Sequence, residues 1–388
     1  MEPIGADGPL SGVVVVDLTR ALAGPYATML LADLGARVIK VESPAGGDDA
    51  RAFPPFVEDR SLYFASVNRD KESIALHLKD EADRAVLDRL ITRADVLVEN
   101  FRPGVMARLG YGWEVLRGRH PGLVMASISG FGQTGPYAAR TAYDMVAQAM
   151  GGIMSITGEE GGEPARVGIS IGDIAAGLFA SVGILAALRQ RERTGVGSLV
   201  DIAMLDCQAA LLENAIARHL AIGETPGRIG ARHPSITPFG LFQAQDGHLA
   251  ICVGNKAQFA ALARAIGRPG MATDPRYASM PLRNAHHAEL KQELDAVLGT
   301  APRAHWLALF EAAGIPGGPL NDVADLVADP QIAARGMIVE TEGERTRLAA
   351  MPVRVSTQQR RRPRPAPRLD ADREAVLRFV SSTTLAAE

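Results

Sequence analysis

The sequence predicts an α/β fold, with a doubly wound, mostly parallel, Rossmann-like sheet in a large domain and a smaller α+β domain beside it in the chain. The first half alternates short β-branched and apolar runs with segments of helical periodicity, which is the pattern of a parallel sheet with crossover helices. A Gly- and Pro-rich stretch over 223–230 ends this alternation, and a hairpin pattern follows. Because 388 residues exceed one ordinary core, two domains are expected.

The elements of the large domain follow one another along the first half of the chain. The first helix begins at Gly24-Pro25 and stops at Gly35, because proline suits a first helical turn and glycine ends a helix. Each further element is read from the period of its apolar residues. The predicted strands are 13–18, 37–42, 73–78, 95–101, 123–129 and 199–202. The predicted helices are 24–34, 80–94, one near Trp113, 173–193 and 204–222.

The smaller domain begins with two alternating runs, 238–243 and 248–253, on either side of Asp246-Gly247, a turn sequence typical of a hairpin. Helices are predicted after it at 255–266, 283–298 and 304–313. Near Asp329 the chain leaves this domain. The basic, Pro-rich segment 360–368 is expected to be extended and solvated.

Composition narrows the classes of function. A net charge of −3, with both signs interspersed, gives no field that would attract nucleic acid or an acidic membrane. The longest apolar stretch, 174–188, is shorter than the roughly 20 residues that span a bilayer. Cys207 and Cys252 predict reduced core thiols in a cytoplasmic protein. Metal-ligand and phosphate-loop motifs do not occur in the sequence, so neither a metal site nor a nicotinamide cofactor is predicted.

Asp173 is the first candidate for chemistry. It follows Gly172 and opens a long run of small and apolar residues, so it is placed at a helix start. There a carboxylate accepts backbone N–H bonds and lies at the positive end of the helix dipole, and both effects are expected to keep Asp173 ionised. An ionised carboxylate is a potential nucleophile, although most aspartates in such positions only cap the helix.

Two other patterns lie near Asp173 or near the strand ends. Ser170 stands in Gly-x-Ser-x-Gly, the elbow sequence of serine hydrolases, but 163–166 makes a poor core strand before it. Ligands of such sheets bind at the carboxyl ends of the strands, and basic residues converging there would suit the phosphates of a nucleotide-like ligand. The basic residues near strand ends are Lys40, Lys79, Arg102 and Arg108, each of which taken singly is expected to be solvated.

The chain resembles the family III CoA-transferases, which include formyl-CoA transferase and the carnitine CoA-transferases. The stretches that carry the resemblance are 22–25, 33–42, 68–74, 99–104, 127–136, 143–158, 166–206 and 274–277, and they follow in order through nearly the whole chain. The resemblance implies a homodimer of two interlocked, ring-like subunits. With it, the predicted domains are 1–205 (first part of the large, CoA-binding domain), 206–235 (linker and long helix), 236–330 (small domain) and 331–388 (return to the large domain).

The same resemblance implies the chemistry. Asp173 matches the family's nucleophile, and Tyr143 and Asp144 would lie near the thioester. The residues implied to contact CoA are Ala23, Leu76, Lys79, Asn100, Phe101 and Arg108. CoA would pass from an acyl-CoA to a small carboxylic acid through an aspartyl-CoA thioester. CoA and acyl-CoA are then substrates, and no permanently bound cofactor is implied.

Alternative functions stay open from the sequence. α-Methylacyl-CoA racemases keep an aspartate at the position of Asp173 but have a histidine where this chain has Tyr143, and a phenol is a poor base for a thioester α-carbon. A serine hydrolase using Ser170 and a non-catalytic CoA-binding paralogue are the others. Formyl-CoA transferase has glutamine at the position of Leu22, which argues against oxalate and formate as substrates.

Overall fold

The computed structural model describes residues 8–359 and 361–382, which form two compact units. The first unit takes its described residues from 1–154, 166–225 and 331–388, and the second consists of 155–165 and 226–330. These units divide the chain at other points than the predicted domains do. The segment 155–165 joins the second unit, and 206–225 stays in the first. The helix Met204–Leu211 packs on other helices of the first unit.

Thirteen strands occur among the described residues. They are β1 Val14–Asp17, β2 Arg37–Glu42, β3 Phe56–Val57, β4 Arg60–Ser61, β5 Lys71–Ala75, β6 Val96–Glu99, β7 Val124–Ser129, β8 Leu199–Ala203, β9 Phe239–Ala244, β10 Gly247–Cys252, β11 Gly317–Pro319, β12 Ile338–Glu340 and β13 Arg347–Ala349.

The sheet of the first unit has six strands in the order β5-β2-β1-β6-β7-β8, and every neighbouring pair is parallel. Val15 pairs with Val38 on one side and with Val96 on the other, and all three side chains are buried. Continuous apolar strands of this kind need cover on both faces. The predicted large parallel sheet is therefore confirmed.

Sixteen α-helices occur in the same described residues. They are α1 Ala23–Asp33, α2 Leu62–Asn68, α3 Glu81–Arg93, α4 Val105–Arg108, α5 Trp113–Arg119, α6 Asp144–Met150, α7 Ile171–Thr194, α8 Met204–Leu211, α9 Glu213–Ile222, α10 Lys256–Ala265, α11 Met280–Ala285, α12 His287–Leu298, α13 Arg303–Ala312, α14 Val323–Ala328, α15 Pro330–Ala334 and α16 Arg373–Ser381.

Helices cover the sheet on both faces, as a doubly wound fold requires. One apolar cluster joins β1, β6 and β7 to α1, α7 and α8, through residues such as Leu31 and Ala180. The other joins β2, β5 and β6 to α3, α5 and α16, through residues such as Leu87 and Val376. The two clusters lie on opposite sides of the sheet because successive side chains of a strand alternate between its faces.

The single helix predicted over 204–222 is wrong. The structure has two helices, α8 and α9, that meet at Leu212, whose φ of −88° and ψ of 24° lie outside the helical range. α8 buries Met204, Cys207 and Gln208, whereas α9 buries none of its residues. The chain therefore packs on the core along α8 and is more exposed along α9.

Helix α7 is the longest helix of the first unit, with 24 residues. By length and composition alone it could cross a membrane, but half of its most apolar stretch is buried inside the protein. Gly177 allows close packing on α1, because a Cβ added there would lie 2.7 Å from the carbonyl oxygen of Ala23 and 3.0 Å from Cδ1 of Tyr26. The small residues of α7 therefore serve helix packing.

The second unit has its own antiparallel sheet, in the order β11-β10-β9, and its own apolar core. β9 and β10 form the predicted hairpin, with Gly247 opposite Ala244. Helices α10, α12 and α13 supply the rest of the core through residues such as Leu262, Leu294 and Phe310.

The C-terminal segment is less solvated than predicted. Asp370 accepts a hydrogen bond from the N–H of Ala75, and Asp372 accepts one from the N–H of Ser73, so the segment covers the outer edge of β5. Ala366 is buried, and the backbone N–H of Arg364 donates to Asp70. A sheet edge with unpaired N–H groups needs such partners. Arg360 of the predicted segment lies outside the described residues.

Candidate active site

The candidate site lies at the carboxyl edge of the parallel sheet. β1, β5 and β6 end at Asp17, Ala75 and Glu99, and parallel strands bring these ends to one side. α7 runs directly into β8, which is parallel to the others, so the N-terminus of α7 lies at this same edge. The topology thus places Asp173 on the side where the strand ends were predicted to bind a ligand.

Asp173 lies in the first turn of α7, two residues after the helix begins at Ile171. Asp173 and Gly177 are four residues apart and share a face of the helix. Because Gly177 packs against the start of α1, Asp173 projects from α7 on the side of Ala23. Ala23 is buried at the first position of α1, so two residues predicted for the site belong to neighbouring helix starts.

The start of α7 is capped by Asp144 rather than by Asp173. Oδ1 of Asp144 accepts the N–H of Gly172 at 2.8 Å, and Oδ2 accepts Nε2 of Gln148 at 2.8 Å. Oε1 of Gln148 in turn accepts the N–H of Val167 at 2.9 Å. Asp144 and Gln148 are both buried. This network ties α6 to the segment that leads into α7, and it fixes the backbone that carries Asp173.

The expectation that the helix start keeps Asp173 ionised is wrong. The carboxylate accepts no hydrogen bond from the described residues, and the N–H of Gly172 in the same helical turn donates to Asp144 instead. Burial, and after it the charge of Asp144, raises the pKa of Asp173 from 3.8 to about 7. Desolvation and a like charge both disfavour the ionised form, and here they outweigh the helix dipole.

Tyr63 is a residue of this site that the sequence did not single out. It lies on α2, half-buried, with its ring against Phe53 at 5.4 Å between centroids. Burial, and then the negative charges of Asp173, Asp144 and Asp48, raise the pKa of Tyr63. A phenol that stays protonated beside carboxylates is a hydrogen-bond donor. No strand-end pattern marks Tyr63, because α2 lies between β4 and β5 and was not predicted.

A buried ion network supports the loop 19–22, which joins β1 to α1. Nζ of Lys40 lies 2.9 Å from Oδ2 of Asp48 and donates to the carbonyl oxygen of Thr19 at 2.7 Å. Nζ of Lys71 donates to Asp17 at 3.0 Å, and Oδ1 of Asp48 accepts the N–H of Ala21 at 2.9 Å. The expectation that Lys40 is solvated is therefore wrong. Lys40 is fully buried, and its charge is compensated by its contacts with Asp48 and with the carbonyl oxygen of Thr19.

The residues implied to contact CoA lie along the same edge. Asn100 follows β6 and bonds both the N–H and the carbonyl oxygen of Arg20, at 2.9 Å each. The guanidinium of Arg20 lies 5.6 Å from the centre of the Phe101 ring. Leu76 is buried just beyond β5, while Lys79 and Arg108 are exposed, which leaves both cations open to an anionic ligand.

The structure separates the roles of the other predicted residues. Tyr143 is 82% exposed, whereas its neighbour Asp144 is buried and engaged in the cap. Ser170 directly precedes α7, but the described residues 163–170 contain no strand, so the strand–turn–helix of a hydrolase elbow does not occur there. Among the residues that the structure describes, no group of three or more His, Cys, Asp or Glu could hold a metal ion.

Comparison with known proteins decides the family. A family model described as CoA-transferase family III matches residues 10–373. The chain belongs to this family.

Relatives of this family III CoA-transferase match it over most of their length. It is 49% identical to the acetyl-CoA:oxalate CoA-transferase of Acetobacter aceti over 376 residues, which cover 96% of both chains. It is 44% identical to the succinyl-CoA:glutarate CoA-transferase of Mus musculus, over 86% of this chain and 76% of that one. A crystal structure of a CAIB/BAIF family protein from Brucella suis has a TM-score of 0.88 at 39% identity, covering 97% of this chain and 100% of that chain. The CoA-transferase is thus an enzyme that moves CoA between an acyl-CoA and a carboxylate.

Proposed function

We propose that this CoA-transferase works through a covalent thioester between CoA and Asp173. One observation carries the proposal: the Asp173 carboxyl group is held at the carboxyl edge of the sheet, beside the start of α1, without a hydrogen bond from the described residues. A carboxyl that is positioned but unbonded is free to form a new bond.

The reaction would proceed in balanced steps. The Asp173 carboxylate attacks the thioester carbonyl of the donor, which gives a mixed anhydride and CoA thiolate. The thiolate attacks the aspartyl carbonyl, releases the donor acid and leaves the Asp173–CoA thioester. The acceptor carboxylate then attacks that thioester, which gives a second anhydride and CoA thiolate. Attack of the thiolate on the acyl carbonyl of this anhydride forms the new acyl-CoA and restores Asp173.

The roles of the neighbouring residues follow from their contacts. Asp144 acts as a positioning residue, because its oxygens are used to cap α7 and to hold Gln148. The phenol of Tyr63, whose pKa is raised by burial and by the charges of Asp173, Asp144 and Asp48, is proposed to donate a hydrogen bond to negative charge that develops at Asp173 during the reaction. Tyr143 is exposed and available to a bound substrate. Lys79 and Arg108 would meet the phosphates of CoA, with Ala23, Leu76, Asn100 and Phe101 lining its path.

The substrates are proposed from the relatives. Several relatives are named for dicarboxylic acids: oxalate, glutarate, mesaconate and citramalate. We propose a dicarboxylic acid as acceptor for this chain as well. Although Leu22 argues against oxalate, the relative at 49% identity is named for it, so oxalate belongs among the acids to be tested.

The assembly is proposed to be a homodimer. Each of the helices α6 to α9 exposes large apolar side chains. On α7 these are Leu178, Phe179 and Val182. Contiguous exposed apolar residues of this kind are typical of protein interfaces. A second copy of the chain is the proposed occupant, in the interlocked ring that the family resemblance implies. The two cysteines are unpaired, which suits the proposed cytoplasmic location.

The covalent step has a direct test. The enzyme is incubated with succinyl-CoA in the absence of an acceptor acid. The reaction is quenched, the protein is digested, and the masses of the peptides are measured by mass spectrometry. The peptide that contains Asp173 should gain the mass of CoA less one water. When hydroxylamine is added, the same peptide should carry a hydroxamate at Asp173. Asp173→Asn should abolish the adduct and lower kcat by a factor of at least about 10⁴. Turnover without any adduct, or an Asp173→Asn variant that retains activity, would exclude the mechanism.

The same experiment separates the alternatives. A racemase or a CoA-binding paralogue forms no hydroxamate at Asp173, and a serine hydrolase would be labelled at Ser170. Ser170→Ala is the matched control, because Ser170 makes no side-chain cap to α7. It should leave the adduct and the turnover unchanged.

A further inference from the structure

Arg166 is a cation close to Asp144 that the covalent mechanism does not use. Its Nη2 lies 3.9 Å from Oδ2 of Asp144, which is beyond hydrogen-bond distance. Asp144 does not depend on it, since its two oxygens already accept the N–H of Gly172 and Nε2 of Gln148. Arg166 is therefore close to Asp144 without forming a hydrogen bond to that carboxylate.

The guanidinium of Arg166 is held by backbone atoms. Nε donates to the carbonyl oxygen of Val167 at 3.0 Å, and Nη2 points to that of Gly168 at 3.5 Å. Val167 is itself fixed by its N–H bond to the buried Gln148. Nη1 makes no hydrogen bond to the described residues, and the side chain is 43% exposed. One edge of a preorganised guanidinium is thus open to a ligand.

The two oxygens of Asp144 face different parts of the site. Oδ1 faces the start of α7, which carries Asp173, and Oδ2 faces Arg166. Asp144 therefore lies between the backbone that carries Asp173 and the guanidinium of Arg166. A ligand that is joined to Asp173 and also reaches Arg166 would meet Arg166 with a group other than the attached one. A carboxylate in that place would be repelled by Asp144 unless a cation were present, and a planar guanidinium pairs with a carboxylate through two parallel bonds.

We propose that Arg166 binds the second carboxylate of a dicarboxylic acceptor, the one that does not react with Asp173. This inference rests on the proposed function, because it takes Asp173 as the point of covalent attachment. Arg166 then determines specificity: it favours an acid with charge at both ends over a monocarboxylic acid of equal length. Gln148 supports it as a positioning residue, because Gln148 holds the segment that follows Arg166.

The test compares glutarate with pentanoate, which has the same number of carbons and one charge. The variants are Arg166→Gln, Arg166→Lys and the control Arg193→Gln. Arg193 is exposed in the last turn of α7, roughly 30 Å along the helix from Asp173 at 1.5 Å per residue. Arg166→Gln should raise KM for glutarate roughly 10- to 100-fold, the effect of losing hydrogen bonds to a charged group. With the monocarboxylic donor butyryl-CoA, KM for the donor and the rate with pentanoate should change less than about threefold, and Arg166→Lys should recover part of the loss.

Adduct formation keeps this inference separate from the covalent mechanism. With butyryl-CoA as donor, Arg166→Gln should form the Asp173 adduct at the wild-type rate, since that step involves no second carboxylate. If the wild type forms no adduct with either butyryl-CoA or succinyl-CoA, the mechanism itself fails. If the adduct forms, three results would overturn the role of Arg166: an unchanged KM for glutarate, an equal loss with pentanoate, or a slower adduct in Arg166→Gln. Thermal unfolding of the variant should match that of Arg193→Gln, because Arg166 is not part of the core.

Discussion

At the scale of single residues, Asp173 and Asp144 are two carboxyl groups with different environments and different roles. Asp144 has hydrogen-bond donors on both oxygens, whereas Asp173 has none among the described residues and lies beside the charge of Asp144. Enzymes often separate the roles of neighbouring acids in this way. The consequence is that Asp173 is only half ionised near neutral pH, although the proposed nucleophile is its ionised form.

The rate of adduct formation should therefore depend on pH. With a pKa of about 7 for Asp173, the rate should increase through neutral pH and at pH 6 reach about a tenth of its high-pH value. Asp144→Asn removes the negative neighbour and leaves an amide oxygen that can still cap Gly172, although its NH2 group cannot accept the bond from Nε2 of Gln148. Its midpoint should lie at lower pH than that of the wild type. It should stay above the ordinary pKa of aspartate, because burial is the larger cause of the shift.

Single-turnover measurements from pH 5 to 9, with the adduct quantified by mass spectrometry, give both midpoints. Asp206→Asn is the control, because Asp206 lies on α8 and does not influence the pKa of Asp173. A midpoint that is the same in the wild type and in Asp144→Asn would mean that Asp144 does not act on Asp173 through its charge.

At the scale of elements, the contact between α1 and α7 sets the position of Asp173. Gly177 is the closest point of that contact, one helical turn from Asp173 on the same face. Gly177→Ala would bring a methyl group to 2.7 Å from the carbonyl oxygen of Ala23, and backbone atoms cannot yield as a flexible side chain does. The helices would have to separate, at a cost of about 1–3 kcal/mol in the free energy of unfolding.

Gly177→Ala should lower both the free energy of unfolding and kcat, since the displaced α7 carries Asp173 with it. Gly118→Ala is the matched control: Gly118 also lies within a helix, α5, but a Cβ there would meet nothing within 4 Å. That change should stabilise the protein by about 0.5–1 kcal/mol, because alanine favours the helix. Urea unfolding and steady-state kinetics measure both effects. A Gly177→Ala variant as stable and active as Gly118→Ala would disprove the role of this contact.

The sequence predicted the elements of this fold better than the contacts within its site. The apolar runs around Val15, Val38 and Val96 marked buried parallel strands, because a strand covered on both faces must be apolar throughout. Asp173 was placed at a helix start because Gly172 and a run of small residues surround it. Its ionisation was predicted wrongly, because the periodicity of one segment shows neither how far Asp173 is buried nor that the charge of Asp144, 29 residues earlier, acts on it.

Other residues of the site were missed for related reasons. Gln148 stands four residues after Asp144, a spacing at which Gln and Asp side chains pair on a helix, so α6 held a signal that was not used. Tyr63 and Arg166 carry no local signal, since each meets Asp144 or Asp173 only through the tertiary fold. The break at Leu212 separates α8, which packs on the core, from α9, which buries none of its residues. The spacing of apolar residues does not show where a helix stops packing on the core.

At the scale of the whole molecule, the apolar surface of α6 to α9 needs a cover. Burying an exposed apolar surface against a second copy stabilises both chains, whereas leaving it in water favours aggregation. The opposite face of the sheet, covered by α3, α5 and α16, has Val115 exposed on α5 as a comparison position. If the dimer interface is formed by α7, replacing valine with aspartate should weaken the dimer on α7 but not on α5.

Val182→Asp places a charge at the most exposed apolar position of α7, where the side chain is 63% exposed in the single chain. Burying an unpaired charge in an interface is costly, so the variant should dissociate at concentrations where the wild type is dimeric. Val115→Asp, at a position that is 42% exposed on the other face, should remain a dimer. Both substitutions should leave the fold intact, because neither side chain is in the core. Light scattering coupled to size-exclusion chromatography, over a hundredfold range of concentration, gives the masses. A wild type with the mass of one chain throughout, or a Val182→Asp variant as dimeric as Val115→Asp, would contradict an interface on α7.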